Sequence, residues 1–198
     1  MLLSSTTVNG AVSNDSNNNI TMSVGNTVIA NVNSSGIFFE SGKKAIYTGA
    51  VLQVVQTVKT DSFSTSSSTP VDITGMSATI TPNFSTSKIL VLCQVSTGGD
   101  DRTPRVNLVR NSTTLMQPGS LGATIGSDAR ISQSRHLVAG TIQFLDSPST
   151  TSATTYKLQL FNGFSADGGT VWFNRSGFQD AGVVQYATSS ITLMEIAG

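Results

Sequence analysis

The chain is short of nearly every residue type that performs polar chemistry. Its 198 residues include one cysteine, one histidine and one tryptophan, and charged residues make up 11% of it, against about 25% in an ordinary soluble domain. Each scarcity excludes something. A single cysteine, Cys93, permits no disulfide within the chain, and its place in the apolar run Ile89-Leu90-Val91-Leu92-Cys93 suits a small buried side chain rather than a nucleophile. A single histidine excludes a histidine metal cluster. That residue, in Ser134-Arg135-His136, has no nucleophile-elbow context and reads as a surface or interface histidine. Eleven Lys and Arg balance eleven Asp and Glu without gathering into a basic tract, so the electrostatic footprint for nucleic acid is missing. Apolar runs are short, and Met1-Leu2-Leu3 passes directly into Ser and Thr. Neither membrane insertion nor a secretory leader is expected. The expected product is soluble, made in the cytoplasm, and stabilised by burial or assembly rather than by cross-links.

What fills the chain instead is Ser, Thr, Asn and Gly interleaved with single apolar residues. Alternation places apolar side chains on one face of a strand, because successive residues point to opposite sides. Met76, Ala78 and Ile80 alternate with Ser77, Thr79 and Thr81. Tyr156, Leu158 and Leu160, then Val171 and Phe173, then Ile191 and Leu193 repeat the pattern. Thr-Pro, Asn-Ser, Gly-Gly and Ser-Pro pairs punctuate these runs as turns, and no long segment carries a 3.6-residue period. The predicted fold class is all-β, an antiparallel sandwich or jelly roll. Eight of the ten residues from 60 to 69 are Ser or Thr, and between two strand-like runs they predict a loop or a polar edge strand.

Residues 1–48 have a different texture. After the polar tract 14–19, three very short strands are expected around Ile20, Met22 and Val24, around Val28, Ala30 and Val32, and around Ile37 and Phe39. Such strands exclude too little water to offset the entropy of ordering them. Strands from neighbouring chains would solve that, so residues 1–48 are read as an oligomerising stem or attachment region, and 49–198 as a compact domain.

Six segments carry a resemblance: Val51-Leu52-Gln53-Val54-Val55-Gln56-Thr57-Val58-Lys59-Thr60, Ser87-Lys88-Ile89-Leu90-Val91, Val106-Asn107-Leu108-Val109-Arg110-Asn111-Ser112-Thr113, Phe144-Leu145-Asp146-Ser147-Pro148-Ser149-Thr150-Thr151, Tyr156-Lys157-Leu158-Gln159 and Ile191-Thr192-Leu193-Met194-Glu195-Ile196. Together they resemble the C-terminal domain of tail-fibre-like proteins of bacteriophages, many of them marine or cyanobacterial, over about three quarters of the chain. The stretch from Ile20 to Phe39 is similar to the repeated stem units of phage fibres. The resemblance implies a jelly roll like that of complement C1q and tumour necrosis factor, a homotrimer, a place in the virion, docking to other virion proteins through residues 1–48, and attachment to a host-surface glycan or protein. The stem is brief for a long fibre, which keeps a capsid decoration protein in play. A polysaccharide depolymerase is the third reading, and it would need two carboxylates across a cleft.

No catalytic residue, cofactor or metal is expected. Asp100-Asp101-Arg102, after Gly98-Gly99, puts two carboxylates on a loop. Calcium loops use more oxygen ligands at set spacing, so a plain turn is favoured over a binding site. Phe164, Asp167, Phe178 and Tyr186 lie in the Gly/Ser/Asp-rich stretches 163–169 and 176–189. They are candidates for a recognition surface, since loops on a rigid scaffold carry binding residues, with plugging of gaps between subunits as the equal alternative. Trp172, between Val171 and Phe173 in a strand, is read as core or intersubunit packing rather than as a sugar platform.

Overall fold

The structure is a computed structural model that describes residues 10–14, 20–24, 27–33, 35–41, 47–99, 102–116, 137–163, 169–177 and 184–198. Contacts divide the chain into two compact units, residues 1–47 and 48–198. Every element among the described residues is a strand, and all the pairings within the sheets are antiparallel.

The N-terminal unit is a four-stranded meander of β1 (Gly10–Asn14), β2 (Ile20–Val24), β3 (Thr27–Asn33) and β4 (Gly36–Phe39), in that order across the sheet. Where alternation predicts three strands there are four, because Gly-Ala-Val-Ser-Asn offers too few apolar residues to signal β1. Register sorts the faces. Ile20, Val32 and Ile37 stand opposite one another, as do Met22, Ala30 and Phe39, so one face is apolar. The other holds a polar chain: Thr21 Oγ1 donates to Asn31 Oδ1 at 2.9 Å, and Asn31 Nδ2 donates to Glu40 Oε1 at 2.9 Å.

The second unit begins with β5 (Val51–Lys59), β6 (Phe63–Thr65), β7 (Val71–Ile80), β8 (Lys88–Gly99) and β9 (Pro104–Arg110). It continues with β10 (Thr113–Met116), β11 (Leu137–Asp146), β12 (Thr154–Asn162), β13 (Val171–Phe173) and β14 (Ser189–Ile196). One sheet runs β10-β9-β12-β7. The other is built around β8, which pairs with β11 along one edge and with β14 and then β13 along the other; β5 and β6 complete it beyond β14 and β13. This is an all-β sandwich of jelly-roll type, and the Ser/Thr-rich stretch supplies the short strand β6.

Alternation builds the core between these sheets. Ala78 and Ile80, Ile89, Val91 and Cys93, Tyr156, Leu158 and Leu160, Val171 and Phe173, and Ile191 and Leu193 are all buried in one cluster. A slip of one residue in any of these strands would turn its apolar set to water, so burial fixes the register. Burial also pushes the Cys93 thiol up to about 12, which keeps it protonated and inert. Strand β7 breaks the alternation: both Ile73 and Met76 are buried, and a bulge against β12 between them is turned by Gly75 at φ 78°, a conformation glycine adopts without steric cost.

Two buried carboxylates tie the sandwich together. Asp146 accepts two bonds from Arg110 Nη1, at 2.9 and 2.8 Å, and one from the Tyr156 hydroxyl at 2.6 Å, linking β11 in one sheet to β9 and β12 in the other. Burial, helped by the Asp146 hydrogen bond, drives the Tyr156 phenol well above its ordinary range. Glu195 is fully buried and accepts from Gln53 Nε2, the Asn83 amide N–H, Asn83 Nδ2 and Ser87 Oγ, at 2.6 to 2.7 Å. Burial by itself raises its carboxyl pKa; the hydrogen bonds outweigh that and hold it below the usual range.

Candidate functional site

At one end of the sandwich the chain leaves β8, enters β9, leaves β12 and enters β13. The Gly163 N–H donates to the Thr103 carbonyl at 2.8 Å, and Asn162 Nδ2 donates to the Gly169 carbonyl at 2.9 Å. The Arg102 side chain lies where a Cβ on Gly169 would sit, and the Arg105 side chain where one on Gly163 would sit. The end of β12 and the segments leading into β9 and β13 therefore share a common base. Of the residues predicted for recognition, Arg102 belongs to that base, while Asp100, Asp101, Phe164, Asp167 and Phe178 lie outside the described residues, as does His136. Among the described residues no group of three or more His, Cys, Asp or Glu is placed to hold a metal.

Tyr186 is described, and stands next to a second structure. After β13 the chain turns at Asn174, whose φ of 59° is left-handed. The turn is held on all sides. Asn174 N donates to Ser96 O at 2.9 Å, its Nδ2 donates to Lys59 O at 2.9 Å, and its Oδ1 accepts from Ser189 Oγ at 2.6 Å. Beyond it, Ser176 N donates to Gln185 O and Gln185 N to Ser176 Oγ, at 2.9 and 3.0 Å. Arg175 and Tyr186 face each other across an antiparallel bridge, and Tyr186 is 69% exposed.

Trp172 corrects the sequence reading. Val171 and Phe173 point into the core, so the indole between them points out, half-buried on the outer face of the sheet, with the Arg175 guanidinium 4.0 Å above the ring centroid. Its neighbour in register on β8 is Gly98, where a Cβ would collide with the Arg175 carbonyl. Core packing is thus excluded for this tryptophan. Arg175 itself left no signal in the sequence, since a single arginine in a polar loop has no pattern.

The broad outer face of the same sheet holds a further feature. Val54 of β5, Met194 of β14, Leu90 of β8 and Leu145 of β11 stand opposite one another in register, forming an apolar row across four strands. Val54 and Leu145 are 54% and 53% exposed, with Leu90 and Met194 half-buried between them. The adjoining row, Gln56, Thr192, Leu92 and Gln143, is largely polar.

No protein-family model matches the chain, and no curated protein matches it. Among solved structures it is similar to that of infectious bursal disease virus Gt strain, at 13% identity and a TM-score of 0.40 over 91% of this chain and 48% of that one. It is also similar to the infectious bursal disease virus VP2 subviral particle, at 12% identity and a TM-score of 0.35 over 90% of this chain and 50% of that one. The chain spans about half the length of both.

Proposed function

We propose that the chain is a structural protein of a bacteriophage virion: a homotrimeric tail fibre or short tail appendage whose jelly roll presents loops to the host surface. The sequence resemblance to tail-fibre C-terminal domains supports this, as does the pairing of a compact jelly roll with a separate β-meander. The observation that carries it is the in-register row Val54, Met194, Leu90 and Leu145. Apolar surface returns about 25 cal/mol per Å² when removed from water, and a single domain leaves this row wet. Other copies of the chain are its natural cover, because the row carries no charge to repel its like, and a face shared by identical subunits is self-complementary or closes a ring. The apolar face of the N-terminal meander, which its own four strands do not cover, adds a second contact of the same kind.

Function then follows from multiplicity. Three loop ends on one scaffold, repeated around a particle, raise weak single-site binding by roughly 10²–10⁴ through effective concentration. A capsid decoration protein is the second reading, favoured by the short N-terminal unit. Immunogold labelling of intact particles separates the two: label on the tail is the expected result, and label over the head transfers the chain to the decoration class. Deletion of residues 1–48 is expected to leave a soluble β-domain that no longer joins the particle. Normal incorporation of the truncated chain would remove the attachment role from that region.

A further inference from the structure

The turn at Asn174 is fixed by hydrogen bonds to three separate strands, yet what it displays faces water. Residues paired across an antiparallel bridge project their side chains to the same face, so Tyr186 stands beside Arg175. Arg175 in turn covers Trp172. Three planar groups therefore follow one another on one outer surface, with the exposed hydroxyl of Ser64 opposite Trp172 and exposed Gln185 beside Tyr186. A tyrosine that is 69% exposed on a backbone this firmly held adds nothing to the core. It is a stacking surface whose ordering cost was met on folding, the condition under which a binding site gains affinity.

We propose that Tyr186, Arg175 and Trp172 form a saccharide subsite, in which a sugar ring lays its C–H face on Tyr186 and the Arg175–Trp172 stack forms the floor. The chemistry selects this ligand class. Tyr186 is exposed and Trp172 half-buried on the outer sheet face, which suits one sugar of a polymer rather than an apolar side chain needing a pocket, and the surroundings offer hydroxyl and amide partners for sugar hydroxyls. Arg175 is a positioning residue here: its plane on the indole sets the height and tilt of the floor. The proposal rests on the host-attachment reading above and names the ligand class and the residues for it.

Trp172 is the sole tryptophan, so its emission reports on the site directly. The full chain is titrated with a neutral glucan oligomer, a chitin oligomer and a uronate oligomer. At least one is expected to shift or quench the emission saturably. Tyr186→Ala should abolish the response while leaving the emission of the free protein unchanged, and Arg175→Lys, which keeps the charge but loses the planar stack, should weaken binding several-fold. No response to any of the three, or an equal response in Tyr186→Ala, overturns the proposal. Adsorption of labelled full chain to bacterial cells, before and after periodate oxidation of their sugars, separates this failure from failure of the wider reading. Adsorption indifferent to both periodate and Tyr186→Ala sinks the subsite and leaves host attachment standing. A saturable emission response without adsorption to any cell keeps the subsite and removes host attachment.

Discussion

In the N-terminal meander Ile37 and Phe39 are 59% and 40% exposed, and Ala30 is its buried apolar residue among those described; in the jelly roll Val171, Phe173, Leu158 and Ile191 are completely buried. The two regions use the same alternation of apolar and polar residues in strands of the same kind. They differ in layers. A jelly roll folds its second sheet over the first and so supplies its own cover, whereas four strands in one sheet leave an apolar face open whatever their sequence. Stability of the jelly roll is therefore a property of the chain, whereas the meander lacks a second layer of its own. The outer row Val54, Met194, Leu90 and Leu145 is where the self-sufficient region shares the condition of the other.

That contrast gives a graded set of expectations, each read as thermal unfolding of the full chain at one fixed concentration, since assembly makes the midpoint depend on it. The largest effect belongs to the jelly-roll core. Leu158→Ala removes a fully buried side chain and is expected to cost about 3 kcal/mol, roughly a 10 °C fall in midpoint; a change of a degree or two would mean the core is not where the cooperativity lies. Glu195→Ala comes close behind, because it strands donors of Gln53, Asn83 and Ser87, at about 2 to 3 kcal/mol. Acid should act through the same group. Its folded pKa lies below the ordinary value of 4.5, so its contribution is complete above that value and is lost as pH falls through the folded one. Glu195→Gln should flatten that acid limb, and an unchanged limb would assign acid sensitivity elsewhere.

Smaller effects probe the finer parts of the comparison. Gly98→Ala forces a methyl into the Arg175 carbonyl and the Ser176 backbone, and is expected to cost about 2 kcal/mol while displacing Trp172 emission. Thr97→Val goes the other way. The Thr97 hydroxyl is buried without a hydrogen-bond partner among the described residues, so removing it should stabilise the jelly roll by about 1 kcal/mol; destabilisation would show that the hydroxyl has a partner, such as a bound water. Ile37→Ser, on the open face of the meander, should shift unfolding of the dissociated chain by less than about 0.5 kcal/mol and weaken association instead. A large loss in the dissociated chain would mean that face is covered within a single copy.

Much of the jelly roll was legible because burial and period coincide: in Tyr156, Leu158 and Leu160, or Ile191 and Leu193, every second residue is apolar and every second residue is buried. Legibility failed where the decisive partner is remote in sequence. Asp146 and Glu195 look like scattered acids until Arg110, Tyr156, Gln53 and Asn83 are brought to them. Val171-Trp172-Phe173 is apolar throughout, so alternation marked Val171 and Phe173 as inward while composition alone left Trp172 open to a core reading. Tyr186 was legible as a loop aromatic; that it stands beside an arginine stacked on the tryptophan depends on a bridge and a left-handed asparagine that no local pattern announces.

The central claim is that the apolar row on the outer sheet face is covered by other copies of this chain, and sedimentation equilibrium of the full chain beside Leu145→Lys tests it most directly. The account predicts a three-chain mass for the natural sequence and dissociation towards single chains for the variant, with the jelly roll of both still folded. A natural sequence that sediments as a single chain across the accessible concentrations, or a variant that assembles as well as the parent, would contradict it.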